Sequence, residues 1–178
     1  MNGLLKLVLM VALLGLAACK NPRNGFGNGL DGPGGAGGLN GAGGVNTAGL
    51  GDASNPASPA YFNQTIGDRV FFAVDQSTLS DSARATLAQQ ATWLNTNADY
   101  AVIIEGHADE QGTREYNIAL GARRANAVQE YLISQGVSAA RLRTISYGKE
   151  RPVEVCSDEA CYSKNRRAVT VISTGAGA

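Results

Sequence analysis

Residues 101–136 read AVIIEGHADEQGTREYNIALGARRANAVQEYLISQG. The opening AVIIE, residues 101–105, is a short apolar run rich in β-branched side chains, the pattern of a buried strand. From Tyr116 to Gln135, Gly121, Ala125, Val128 and Leu132 recur at spacings of four, three and four, which lines them along one face of a helix. Gly136 then supplies the stop. Between strand and helix, residues 105–113 form the densest polar segment of the chain, with Gly106 and Gly112 permitting tight backbone geometry. Strand, polar loop and long helix in this order make one unit of an α/β fold, and loops at strand C-terminal ends are where such sheets hold ligands.

The flanking sequence repeats the alternation. Residues 69–74 (RVFFAV) read as a strand, and Ser80 caps a helix expected to run to about Asn95, with Ala83, Leu87, Ala91 and Leu94 on its inner face. Residues 142–147 and 168–172 read as two more strands. The expectation is a small α/β sandwich, with about four strands in one sheet and helices on one face. This part, residues 61–178, carries 12 Lys/Arg against 13 Asp/Glu. Near neutrality argues against nucleic acid, which needs a basic face, and against electrostatic binding to anionic lipid.

The helix adds a polar stripe beside its core face. Asn117, Leu120 and Arg124 lie at i, i+3 and i+7, and seven steps of about 100° bring Asn117 and Arg124 within roughly 20° of each other. Asp109 at the helix entry and Arg124 along the stripe then flank one groove. An acid and a guanidinium around one cleft suit a zwitterion, the acid taking an ammonium and the Arg clamping a carboxylate. The same spacing equally fits Asp109 and Arg124 paired with each other, or with Glu110, Glu115 and Asn117. His107 and Asp109 make a poor metal set with Glu110, and no Ser lies in a Gly-x-Ser-x-Gly turn, so catalysis, cofactor and metal are not expected.

The N-terminal portion has a different character. Lys6 is the only charge before Cys19, and residues 7–17 are a continuous apolar run too short to span a hydrocarbon core, which takes about 20. A positive start, a short apolar stretch and small residues read as a signal peptide over residues 1–18. Leu16-Ala17-Ala18-Cys19 resembles the bacterial lipobox, which implies lipidation of Cys19; an ordinary cleavage site is the alternative. Lys20, in place of Asp, favours sorting to the outer membrane by the same resemblance. Residues 19–60, rich in Gly, Asn and Ala, read as a flexible linker rather than an ordered repeat. About 40 such residues span roughly 35 Å on average and roughly 140 Å when stretched. Cys156 and Cys161, an even pair in an exported chain, are expected to form a disulfide rather than two free thiols, stabilising by under about 3 kcal/mol.

Three segments, EGHADEQGTREYNIALGARRANAVQEYL, SYGKERP and YSKNRRAV, closely resemble the OmpA-like peptidoglycan-binding family, in its lipid-anchored branch. The resemblance spans about residues 70–172. It implies a βαβαβ-type domain with a mixed sheet, acting without catalysis as a non-covalent grip on the peptidoglycan peptide stem. The ligand group implied is the diaminopimelate side chain, with an ammonium and a carboxylate on one carbon. By resemblance Asp109 takes the ammonium and Arg124 the carboxylate, with Ala108, Asn117, Leu120, Phe72, Asp75 and Leu79 beside them. Val74 stands where many members carry Phe. Arg166 and Arg167 are placed at the stem or behind the site. The resemblance also implies an outer-membrane lipid anchor, a periplasmic β-propeller partner of TolB type that competes with peptidoglycan, and a role in envelope integrity and cell division.

Overall fold

The structure, a computed structural model, describes residues 50–174. The expected signal peptide, the lipidation position Cys19 and most of the expected linker lie outside the described residues. A short helical turn, Pro59–Tyr61 (α1), is capped by the Ser58 hydroxyl and continues as a wider π-type turn, Phe62–Gly67. Then follow strand Arg69–Phe71 (β1), helix Asp81–Thr96 (α2), strand Tyr100–His107 (β2), helix Arg114–Ser134 (α3), strand Leu142–Gly148 (β3), helix Glu159–Asn165 (α4) and strand Arg167–Thr174 (β4). The sheet runs β1-β4-β2-β3, with β4 antiparallel to both neighbours and β3 parallel to β2.

Pattern and structure meet closely in the two long helices. The Ser80 hydroxyl accepts from Ala83 N at 3.2 Å, as its capping role requires, and Ala83, Leu87, Ala91 and Leu94 are all buried. In α3 the buried row is Gly121, Ala125, Val128 and Leu132, with Asn117, Leu120 and Arg124 buried next to it. Gly136 adopts φ +92°, which a glycine takes at little cost after a helix end. The helices cover the sheet face bearing Val70, Val102, Ile104 and Ala168; on the other face Phe71, Ile103 and Ile145 stay partly in water.

Two expectations are corrected. The first strand stops at Phe71 rather than Val74, because the chain turns at residues 74–75, where Asp75 takes φ +57°. The folded part also begins before Tyr61. The Trp93 indole donates to the Pro56 carbonyl at 2.6 Å, the Tyr100 hydroxyl to Ala57 O at 3.1 Å, and Ser58 Oγ to Asp52 O at 2.6 Å. A Gly-, Ala- and Pro-rich composition hid this, because the segment is held through its carbonyls and the Ser58 hydroxyl rather than through apolar side chains. The sequence pattern shows no helix at α4, because seven residues are too few for a period to repeat.

Candidate functional site

The site is built where β2 gives way to the loop before α3. Gly106 and Gly121 bring that strand end and helix into direct backbone approach: a Cβ on Gly106 would collide with the Gly121 carbonyl, and one on Gly121 would sit 2.8 Å from Gly106 O. This closeness carries Arg124, one turn further along α3, under the loop. Its guanidinium is fully buried. Nη1 donates to His107 O at 2.8 Å, Nε to Gln76 O at 2.8 Å and Nη2 to Ala73 O at 3.2 Å. The Phe72 ring lies 5.2 Å from the guanidinium carbon. Burial pulls this guanidinium down to about 10 while the nearby Asp109 pulls it back up, so it stays charged at neutral pH.

Asp109 is 8% exposed. Its Oδ1 accepts from Gln111 N at 3.2 Å, bending the loop, and its Oδ2 accepts from Arg166 Nη1 at 3.1 Å. Arg166 also donates through Nε to the Phe72 carbonyl at 3.2 Å and through its Nη groups to Glu159. Glu159 raises the Arg166 pKa, and Arg166 lowers that of Glu159. Asn117, also buried, fixes the loop by donating to Gln111 O at 2.7 Å, and Lys149 bonds to Gly112 O at 2.7 Å. Ala108 N donates to Gly148 O at 2.8 Å, tying the strand end to β3.

Several sequence candidates therefore converge. Asp109, Arg124, Arg166, Phe72 and Asn117 belong to one constellation, and Asp75 stands at its rim, accepting from the Tyr116 hydroxyl. Leu120 is buried one turn before Arg124, and Leu79 packs on the core edge. The expected relation of Asp109 and Arg124 changes: they do not face each other across an open groove. Arg124 is the floor, with three of its five N–H groups given to backbone carbonyls, and the direct partner of Asp109 is Arg166. Spacing along α3 gives the direction of Arg124 but not its depth, which the loop over residues 73–76 creates. Arg167 turns away, its Nη groups held by Asn165 O and Arg151 O.

Sequence reading missed Glu159, which meets Arg166, and the Asn165 amide, which donates to Glu110 Oε1 at 2.7 Å. The available signal was Asp158, whose carboxylate caps α4 by accepting from Cys161 N at 3.1 Å. Cys156 and Cys161 are joined as a disulfide around that cap.

The OmpA family model matches residues 71–166, a span containing every residue of this constellation. The peptidoglycan-associated lipoprotein of Mesorhizobium japonicum is 50% identical over 98% of this chain and 92% of its own length. That of Rhizobium meliloti is 49% identical over 98% and 88%. Among solved structures, the crystal structure of the peptidoglycan-associated lipoprotein from Burkholderia pseudomallei superposes with a TM-score of 0.62 at 36% identity, covering 67% of this chain and all of the other. The C-terminal domain of Helicobacter pylori MotB, at 22% identity and a TM-score of 0.57, shares the fold. With identity sustained over nearly its whole length and the site inside the matched span, the chain belongs to the OmpA family, among its peptidoglycan-associated lipoproteins.

Proposed function

We propose that the chain is an outer-membrane lipoprotein that ties the outer membrane to the cell wall, anchored through acyl chains on Cys19 and gripping peptidoglycan non-covalently with its folded domain. The observation that carries this reading is a nearly buried carboxylate, Asp109, set beside two buried guanidiniums at a strand C-terminal end. That arrangement suits a group bearing both an ammonium and a carboxylate, as diaminopimelate does in the peptide stem. Asp109 accepts the ammonium; the cationic side made by Arg124 and Arg166 attracts the carboxylate. The work done is mechanical, and no bond is broken. A TolB-type periplasmic propeller is the protein partner proposed, sharing the site's surface and competing with the wall as part of an envelope-integrity and cell-division system.

The test is a pull-down of the full chain, in detergent, on purified sacculi. Asp109→Asn keeps the side-chain size and removes the charge, and Arg124→Lys keeps the charge and loses the fork. For Asp109→Asn, losing one partner of a desolvated charged contact costs about 2–5 kcal/mol, so binding should fall by roughly thirtyfold or more; Arg124→Lys, which keeps a charge, should weaken binding less. A thermal melt of each variant checks that the fold persists. Two folded variants that still bind sacculi like the wild type would overturn the assignment. The anchor is read by mass: the mature chain should begin at Cys19 carrying acyl chains, and Cys19→Ser should lose them.

A further inference from the structure

Arg166 has two acidic partners, and they differ in kind. Asp109 is buried and fixed from a second side by Gln111 N. Glu159 has its side chain 66% exposed and, among the described residues, hydrogen-bonds to nothing but Arg166. Its two oxygens meet Nη1 (3.3 Å) and Nη2 of the guanidinium, the fork-to-fork geometry by which Arg recognises a carboxylate. Arg166 is only 5% exposed at its side chain with Glu159 in place. Its Nε is spent on Phe72 O and part of Nη1 on Asp109. The edge that Glu159 covers is thus the outward-facing part of the guanidinium, and it lies directly beside the Asp109 carboxylate.

We propose that Glu159 occupies the seat of a ligand carboxylate on Arg166, and that a zwitterionic ligand displaces it. The arriving carboxylate takes the Nη1/Nη2 edge, the ammonium goes to Asp109, and Glu159 rotates into water. An ion pair with one partner largely in solvent is weakly held, so the exchange is easy. The exchange also selects. A simple carboxylate gains only what Glu159 already supplies, whereas a group with an ammonium beside its carboxylate gains the Asp109 contact as well. Charge balances throughout, because one carboxylate replaces another on Arg166. This inference rests on the peptidoglycan reading and narrows it: the stem must present a free carboxylate, not a carboxamide, next to its amine.

The experiment measures equilibrium binding of the full chain to two muramyl tetrapeptides, one with the diamino-acid side-chain carboxylate free and one with it amidated. Glu159→Gln should tighten the free form by roughly two- to fivefold, the range an exposed ion pair supports, and leave the amidated form unchanged. Glu159→Ala should move affinity in the same direction, and both variants should melt as the wild type does. Wild-type binding with no gain in either variant would overturn the seat while leaving the peptidoglycan reading intact. Weaker binding in both would also overturn it, making Glu159 a ligand contact. Failure of the wild type to bind either peptide or sacculi would remove the parent reading as well.

Discussion

His107 ends β2 with its ring stacked on Tyr147 at 5.5 Å, and the Arg151 guanidinium lies over that tyrosine ring at 3.6 Å. Neither ring nitrogen has a hydrogen-bond partner, and the nearest acid oxygen, on Glu105, is 3.4 Å from Nε2. Burial, reinforced by the charges of Arg167, Arg151 and Arg69, pushes the imidazole down to about 4. The unfolded chain takes up this proton near pH 6.5 and the folded chain only near 4. Stability therefore falls as pH drops through that window and levels off below it, by about 3 kcal/mol at most. Denaturant titrations at pH 7 and pH 4.5 should show the loss, and His107→Phe should lose less over the same interval. At this scale the sequence reveals a good deal. Asp109 and Arg124 stand out because one closes a buried run and the other falls on a countable helical stripe. Arg166 does not announce its partner, which lies 57 residues away and meets it only because β4 inserts between β1 and β2.

Among the elements, the contact of α3 with β2 governs the site. Two glycines make it, and Ser146 on β3 adds a hydrogen bond to Ile118 O at 2.6 Å. Gly106→Ala drives a methyl into the Gly121 backbone, which has nowhere to move, and should cost about 3 kcal/mol or more. Gly121→Ala presses on the Ser146 hydroxyl, which can give way, and meets the Gly106 carbonyl oxygen at 2.8 Å, a milder backbone overlap than Gly106→Ala makes. It should cost about 1–3 kcal/mol. Urea unfolding ranks the two; an inverse order would mean that the helix, not the strand, absorbs the misfit. The long elements were legible because α2 and α3 run long enough for a period to repeat. The short ones were not. A three-residue β1 and a seven-residue α4 owe their form to partners: Phe72 N donates to Arg166 O at 2.9 Å, and Asp158 caps α4.

The whole molecule is closed at its N-terminal side by residues that look like linker. Phe62 packs on Trp93 with ring centroids 5.0 Å apart, and Trp93 stacks on Tyr100 at 5.3 Å. The carbonyls of Pro56 and Ala57 receive the polar ends of those same two side chains. A chain begun at Tyr61 loses both acceptors and should be less stable than one begun at Leu50 by about 1–3 kcal/mol, lowering its Tm by several degrees. Equal melting of the two would show that water replaces the carbonyls without cost. Strand order has a consequence in time. Because β4, the last strand among the described residues, lies between β1 and β2, β1 has no sheet neighbour until residues 167–169 are free. In a chain emerging N-terminus first, from a ribosome or through a translocation channel, β2 and β3 can pair early, but β1 joins the sheet only in a late step, with β4.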